Sequence, residues 1–293
     1  MTARARDGWI ISDGLRLHYV EWGPLSAPTI VALHGLRSFA YTWEPVALPL
    51  ADRFRIVALD QRGRGQSDWD PQQRYYAPEY VRDLEALVEH LGLQRFVILG
   101  HSMGGANAFV YASKHADRLA GLVIEDMGPG ASAGSAGADR IRRELLATPG
   151  TFASWEEAAA FWRRQRPNIS EGAVQARVQH SMTQVGDGRL VWRHDANGIA
   201  QARLNATPQQ LVELWPHVEA VNVPTLLLRG AQSDFLSAET AAEMARRNPR
   251  IVCHTVPAAS HYVHDDNLEG FESALHAFLA GPALASWAPS GKR

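Results

Sequence analysis

The sequence predicts an α/β fold, in which helices cover both faces of a mostly parallel β-sheet. Short apolar runs recur along the chain, and such runs are typical of strands that are buried on both faces. Segments with apolar residues at helical spacing lie between these runs, as the fold class requires. The length of 293 residues, with 46% hydrophobic and 20% charged residues, suits one large globular domain or a domain with an insertion.

The first predicted element is a β-hairpin over residues 10–20. Asp13-Gly14 is a favoured two-residue turn, and the second arm alternates apolar and polar residues. Buried strands are predicted at 30–33, 56–59, 96–99, 122–124, 224–228 and 251–256. Between the second and third of these strands, helical spacing predicts a helix over 80–91, which starts after Pro78 and ends at Gly92. A last helix is predicted over 268–279.

Strand signals stop after residue 124 and resume at 224. A stretch rich in Gly, Ala and Ser, residues 128–137, predicts a loop or linker between the two patterns. Helices alone are predicted beyond it, at 141–147, 155–166, 172–182 and 208–214. We therefore predict a core made of residues 1–127 and 217–293, with a helical lid at 128–216. The Pro/Ala/Ser-rich tail from residue 281 is predicted to be poorly ordered.

Composition restricts the functions to be considered. The formal net charge is −2, and neither a basic patch nor an acidic block is present, which argues against a nucleic-acid partner. No apolar stretch approaches the length of a membrane span, and the charged N-terminus is not followed by the apolar region of a signal peptide. We expect a cytoplasmic protein that acts on a small molecule and has no membrane partner. The sequence does not predict the oligomeric state.

Gly100-His101-Ser102-Met103-Gly104 is the most informative segment. A predicted strand precedes it and a Gly/Ala-rich helical stretch follows, which is the context of a serine held on a strained strand-to-helix turn. Glycine on both sides is expected because a Cβ atom there would crowd the neighbouring backbone. The segment predicts that Ser102 is a nucleophile rather than an ordinary turn residue.

The ends of the other predicted strands carry the groups that a nucleophilic serine needs. In an open α/β sheet the carboxyl ends of the strands meet at one edge, and ligands bind there. A serine requires a base that takes its proton and a carboxylate that orients this base. His261 is the predicted base, with His264 as a rival. Asp234 is the predicted acid, Asp126 is the alternative acid, and the other interpretation of Asp234 is a helix N-cap.

Acyl transfer also needs donors for the oxyanion of its transition state. The backbone N–H groups of Leu36 and Met103 are the predicted donors, since one follows His34-Gly35 and the other follows the serine. The predicted substrate pocket includes His34, Arg37, His101, Trp155, Trp162 and Trp192. No metal or cofactor is predicted, because the spacing of His261 and His264 differs from the i, i+4 pair of a zinc-binding helix.

The chain resembles the α/β-hydrolase superfamily, in its lid-bearing branch of small esterases, lactonases and carbon–carbon hydrolases. The segments that carry this resemblance are 34–35, 60–67, 100–105, 229–234 and 261–264, in the expected order. The resemblance implies Ser102, Asp234 and His261 as nucleophile, acid and base, and residues 128–216 as a lid.

Three functions remain open at this stage. The expected function is hydrolysis of a small, fairly apolar carboxylic ester or lactone through an acyl-enzyme. One alternative is hydrolysis of a carbon–carbon bond in a vinylogous diketone with the same three residues. An alternative of another class is a non-catalytic ligand receptor, since a fold alone does not determine function.

Overall fold

A computed structural model describes residues 4–131 and 135–288. Its strands are β1 Arg6–Ser12, β2 Leu15–Trp22, β3 Thr29–Leu33, β4 Arg55–Leu59, β5 Phe96–His101, β6 Leu119–Glu125, β7 Thr151–Phe152, β8 Met182–Gln184, β9 Leu190–Trp192, β10 Thr225–Gly230 and β11 Ile251–Val256. Its helices are α1 Glu44–Leu50, α2 Ala77–His90, α3 Met103–Lys114, α4 Ala136–Ala147, α5 Trp155–Gln165, α6 Glu171–Ser181, α7 Ala196–Leu204, α8 Trp215–Ala220, α9 Ala238–Arg247, α10 Val263–Asp266 and α11 Leu268–Leu279.

Eight strands form the central sheet, in the order β1-β2-β4-β3-β5-β6-β10-β11. The six strands from β4 to β11 in that order pair in parallel, whereas β1 and β2 form an antiparallel edge. The predicted α/β fold with a mostly parallel sheet is confirmed. The predicted hairpin is β1 and β2, and its turn residues Asp13 and Gly14 have φ values of 52° and 79°, as a tight two-residue hairpin turn requires.

The two faces of the sheet bury separate apolar cores. In β3, Val31 and Leu33 belong to the core beneath α2 and α3, whereas Ile30 and Ala32 belong to the core beneath α1 and α11. This division follows from strand geometry, because successive side chains point to opposite faces. Burial on both faces explains why these strands are continuous apolar runs in the sequence.

The segment between β6 and β10 is not helical throughout. It contains α4 to α8, but β7, β9 and β8 also pair into a small antiparallel sheet. The helix predicted at 208–214 is reduced to a short 3-10 turn, Pro208–Gln210. Strands of two or three residues are too short to show an alternating pattern, so the sequence did not reveal them. Of the predicted 128–137 loop, residues 132–134 lie outside the described chain.

The division into a core and a lid at residues 128 and 217 stays a prediction. The inserted segment has its own aromatic cluster, in which Phe161, Trp162 and Trp192 pack edge to face with ring centres 5.5–5.9 Å apart. Helix α8 runs across the predicted boundary at 216. Within the described residues, no helix combines the length and the apolar character that crossing a membrane requires.

The prediction of a poorly ordered tail is wrong for residues 281–288. Leu284 is fully buried, and Trp287 stacks on Phe54 with ring centres 5.6 Å apart. The indole N–H of Trp287 donates to the carbonyl of Arg95. These two apolar residues extend the core on the side of α1 and α11, and this gain outweighs the loop-like composition around them. Residues 289–293 lie outside the described chain.

Helix α3 approaches β3 so closely that Gly104 leaves no room for a side chain. A Cβ atom there would lie 2.3 Å from the carbonyl oxygen of Leu33, which is a backbone atom that cannot rotate away. We expect Gly104→Ala to lower the free energy of unfolding by roughly 1–3 kcal/mol, the usual cost of overpacking. Gly150→Ala is the matched control, since nothing lies within 4 Å of its Cβ position. Urea denaturation measures both variants, and equal stabilities would contradict the close approach.

Candidate active site

Ser102 lies on a sharp turn between β5 and α3. Its backbone φ is 51° and its ψ is −117°, a conformation that residues with a side chain rarely adopt. The glycines of this turn allow it: a Cβ atom on Gly100 would lie 2.6 Å from the carbonyl oxygen of Gly104. Such a turn holds the serine hydroxyl above the ends of the strands.

Ser102 is the first member of a buried hydrogen-bonded chain of three side chains. Its Oγ lies 2.9 Å from Nε2 of His261, and Nδ1 of His261 lies 2.8 Å from Oδ2 of Asp126. All three side chains are buried. Both contacts form when Nδ1–H of the imidazole donates to Asp126 and Nε2 accepts the proton of the Ser102 hydroxyl. In this tautomer His261 is ready to take the proton from the serine.

The side chain of Asp126 is hydrogen-bonded to residues at or beyond the ends of β10 and β11. It directly follows β6, with a φ of 49° that turns its side chain toward β10. Its Oδ1 accepts the N–H of Gly230 at 3.1 Å, and its Oδ2 accepts the hydroxyl of Ser233 at 2.6 Å in addition to His261. These contacts fix both oxygens of the carboxylate, so that the orientation of the imidazole is fixed as well.

Asp234 does not make the contact with His261 that the sequence predicts, and this is corrected: Asp126, the alternative acid of the sequence analysis, makes the contact. Both oxygens of Asp234 instead accept hydrogen bonds from Arg140 of α4, at 2.8 and 2.9 Å. This pairing lowers the pKa of Asp234, whose side chain is 36% exposed. The physical reason is distance along the chain: four residues after the end of β10 are enough for the loop to turn Asp234 outward, whereas Asp126 follows its strand directly.

His264, the alternative base, is hydrogen-bonded to a second buried carboxylate, that of Glu125. Its Nδ1 lies 2.8 Å from both side-chain oxygens of Glu125, and its backbone N–H also donates to that carboxylate. Burial opposes the charged form of His264, but Glu125 and Asp265 outweigh it and raise the pKa of His264. Burial likewise opposes the charged form of Glu125, but the charge of His264 and its hydrogen bonds to this carboxylate outweigh it and lower the pKa of Glu125.

His101 completes this buried group. Burial lowers the pKa of His101 to about 3, so that its ring is neutral, and its Nε2–H donates to the carbonyl of His261 at 2.9 Å. The nearest ligand-type atoms of His101, Glu125 and His264 lie within 4.8 Å of one another. Of the described residues these three are therefore placed to hold a metal ion. Some of these atoms already have hydrogen-bond partners: Glu125 bonds to Nδ1 of His264, and Nε2 of His101 bonds to the carbonyl of His261.

Two clefts meet at Ser102, and Leu36 and Ile141 line both of them. The polar cleft is lined by Arg37, Arg166, Arg177, His261, Tyr262, His264 and Asp265, among others. The apolar cleft is lined by Met103, Ala106, Met127, Ile199, Ala202, Leu214 and Phe235, among others. Leu36 and Met103, whose N–H groups are the predicted oxyanion donors, thus lie on the wall beside the serine.

Three of the predicted pocket residues, Arg37, His101 and Trp162, line the polar cleft. His34, Trp155 and Trp192 line neither cleft. Burial lowers the pKa of His34 to about 4, and its Nε2 accepts the N–H of Gln61 inside the fold. Trp155 is 46% exposed, and Trp192 is buried in the aromatic cluster of the insertion.

The sequence did not identify Arg177 and Tyr262 as lining residues. Arg177 lies on α6 of the insertion, and its pairing with Asp265 of α10 joins residues that are 88 positions apart. No local pattern signals such a pair. Tyr262 could have been found from the sequence, because it directly follows His261.

Comparison with known proteins agrees with the fold. A family model described as "alpha/beta hydrolase fold" matches residues 28–192. The 2-(acetamidomethylene)succinate hydrolase of Mesorhizobium japonicum is 30% identical and aligns over 87% of this chain and 88% of its own length. The 3-hydroxybutyrate-oligomer hydrolase of Cupriavidus necator is 31% identical over 84% and 87% of the two chains. A crystal structure of E-2-(acetamidomethylene)succinate hydrolase superposes with a TM-score of 0.85 at 28% identity, covering 95% of this chain and all of the other.

Substitution of each candidate acid by asparagine distinguishes their roles. We expect Asp126→Asn to lower kcat on the order of 10⁴-fold, because an amide cannot hold His261 in the required tautomer. Asp234→Asn is the matched control and should stay within about fivefold of the wild type, because an exposed ion pair contributes little. Steady-state hydrolysis of an activated ester measures both. A larger loss in Asp234→Asn than in Asp126→Asn would contradict the geometry.

The Glu125–His264 pair predicts a pH dependence of stability. The raised pKa of His264 stabilises the fold below its usual value of 6.5, and this contribution is lost as the pH rises through the raised value. The lowered pKa of Glu125 stabilises the fold above its usual value of 4.5, and this contribution is lost as the pH falls through the lowered value. The pair should therefore stabilise the fold most between the two usual pKa values, 4.5 for glutamate and 6.5 for histidine.

The reference is the double variant Glu125→Gln with His264→Gln, which keeps the shape of both side chains but not their titration. We expect the difference in unfolding free energy between wild type and this variant to be largest between about pH 4.5 and 6.5. Chemical denaturation across roughly pH 4–9 measures it. A difference that does not change with pH would show that the pair is not ionised.

Proposed function

Because this chain belongs to the α/β-hydrolase family, we propose that it is a serine hydrolase that cleaves a small carboxylic ester or lactone through an acyl-enzyme. The observation that carries the proposal is the unbroken chain of hydrogen bonds from Ser102 through His261 to Asp126. These hydrogen-bonded side chains lie where two clefts meet, which gives a substrate carbonyl access to the serine.

The first half-reaction forms the acyl-enzyme. Oγ of Ser102 attacks the carbonyl carbon while its proton passes to Nε2 of His261, and Asp126 stabilises the imidazolium without taking the proton. The N–H groups of Leu36 and Met103 are the proposed donors to the oxyanion. The bond between the carbonyl carbon and the leaving oxygen then breaks, and the imidazolium returns the proton to that oxygen.

The second half-reaction releases the acid. A water molecule gives its proton to Nε2 of His261 and attacks the acyl carbon. The bond to Ser102 breaks, and the serine oxygen recovers the proton from the imidazolium. The net change is the addition of one water across the ester bond.

A second candidate is hydrolysis of a carbon–carbon bond in a vinylogous diketone. That reaction needs the same serine and histidine, and it also needs a proton delivered to carbon. His264 favours this candidate, because it lines the same cleft as His261 and the surrounding carboxylates bias it toward the protonated form. A non-catalytic receptor would have no need of the intact chain of Ser102, His261 and Asp126.

One panel of substrates distinguishes these functions. It contains aryl esters of graded acyl length, lactones, an amide and a vinylogous diketone, assayed alongside labelling by a fluorophosphonate probe. We expect aryl ester turnover and probe labelling by the wild type. Turnover of the diketone far above that of the esters would favour the second candidate. A folded wild type that takes no label and turns over nothing would favour the receptor.

Ser102→Ala tests the nucleophile directly. We expect kcat to fall by roughly 10⁴-fold or more and labelling to disappear, with the circular dichroism spectrum unchanged. Ser113→Ala is the control, because this serine lies on the same helix α3 but bonds to Val110 and His217 away from the clefts. Near-normal turnover by folded Ser102→Ala would refute the proposed mechanism.

A further inference from the structure

The two clefts that meet at Ser102 have opposite chemical character. Methionine, alanine, leucine, isoleucine and phenylalanine side chains dominate the apolar cleft, although Arg64 and Arg203 also line it. Every guanidinium nitrogen of Arg64 already donates to a neighbouring group of the fold. The polar cleft instead brings three guanidinium groups, those of Arg37, Arg166 and Arg177, close to the serine. A substrate bound across Ser102 therefore meets a mainly apolar environment on one side, and on the other side a cleft lined by three arginines.

The positive charge of the polar cleft is only partly neutralised. Arg37 pairs with Glu144 and donates to Thr148, and Arg177 pairs with Asp265. Arg166 is stacked 3.6 Å above the ring of Tyr262. Its distance to the nearest carboxylate oxygen, on Glu144, is 3.9 Å, and Arg37 and Arg140 already engage that carboxylate.

These arginines are also largely withdrawn from water. The side chains of Arg37, Arg166 and Arg177 are each 9% exposed. Burial, with Arg166 and Arg140 nearby, lowers the pKa of Arg37 although Glu144 opposes this effect. Buried charge without a full partner is costly, and a bound anion would offset this cost.

The position of His261 determines which end of a substrate enters which cleft. The base must reach the leaving oxygen, since it returns the proton of Ser102 to that atom. His261 lines the polar cleft and is not among the residues that line the apolar cleft. The leaving group therefore lies in the polar cleft, and the acyl group extends from the carbonyl carbon into the apolar cleft.

Resting on the proposed serine hydrolase function, we propose that the substrate joins an apolar acyl group to a leaving alcohol that carries a carboxylate. The carboxylate lies against Arg166 and Arg37 in the polar cleft, where a planar guanidinium offers two parallel hydrogen bonds. Cleavage breaks the bond between the acyl carbon and the alkoxide oxygen. The alkoxide takes the proton from His261, and the product released first is a hydroxy acid.

Two pairs of matched esters test this orientation. In the first pair, the leaving group of a butyryl ester is para-hydroxybenzoate or the neutral para-hydroxybenzamide. In the second pair, para-nitrophenol is esterified with neutral butyrate or with succinate, which carries a carboxylate on the acyl side. Each kcat/KM is divided by the rate of hydroxide hydrolysis, so that intrinsic reactivity does not enter the comparison.

We expect the carboxylate on the leaving group to raise kcat/KM by roughly 10- to 100-fold, as a hydrogen-bonded charge pair in a dry site would. The carboxylate on the acyl side should lower kcat/KM, since it would be buried among mainly apolar residues and the guanidinium of Arg64 already donates to other groups. The reverse order of preference in both pairs would overturn the proposed orientation. No preference in the first pair would overturn the anionic leaving group.

Variants of two arginines identify the binding group. Arg166→Gln should remove most of the preference in the first pair, so that the two butyryl esters have similar normalised kcat/KM values. Arg166→Lys, which keeps the charge, should restore part of the preference. Arg163→Gln is the matched control: this arginine lies one turn earlier on α5, pairs with Glu156 and Glu171, and points away from the cleft. An equal loss of preference in Arg163→Gln and Arg166→Gln would contradict the assignment.

Inhibition gives a second measurement that does not depend on turnover of a charged ester. Free para-hydroxybenzoate should inhibit para-nitrophenyl acetate hydrolysis competitively in the wild type, and much more weakly in Arg166→Gln. Failure to hydrolyse any ester would refute the serine hydrolase itself. Hydrolysis of neutral esters without a carboxylate preference or this inhibition would refute the inference alone.

Discussion

The site depends on one buried carboxylate. Asp126 accepts hydrogen bonds from the backbone N–H of Gly230 at the end of β10, from the hydroxyl of Ser233 and from the imidazole of His261. It thereby joins the end of β6 to the loops that follow β10 and β11. Three donors thus replace the water that this buried carboxylate has lost. Its loss would leave those donors unpaired and would free His261 to rotate away from Ser102.

The buried cluster of Glu125, His264 and His101 lies next to this site, and His101 donates to the backbone carbonyl of His261. Glu125 and Asp126 are consecutive residues, and each one holds a histidine of the segment 261–264. The imidazoles of His261 and His264 are thus fixed by neighbouring carboxylates at the end of a single strand. This arrangement ties the position of His261 to the register of β6, which lies in the middle of the parallel part of the sheet.

Much of the fold could be predicted from the sequence because its signals are local. Continuous apolar runs gave the parallel strands, Asp13-Gly14 gave the hairpin, and α11 begins and ends at the predicted residues. Ser102 was recognisable because its turn needs glycines at fixed positions. The contact of Asp234 with His261 was wrongly predicted because Asp234 and Asp126 both follow strands, and only the path of the loop after β10 decides which carboxylate faces His261. Arg177 was missed for a related reason, since its partner Asp265 is distant in the chain.

Although Asp234 is not the partner of His261, its position has a consequence of its own. With Arg140 it forms an ion pair that links α4, the first helix of the insertion, to the loop after β10, and its backbone carbonyl also accepts the N–H of Gly137. Side chains of this pair are 27% and 36% exposed. Dissolved salt screens such a pair far more than it screens buried groups. Ionic strength therefore acts on this link between the insertion and the loop after β10, whereas it acts much less on the buried groups around Asp126.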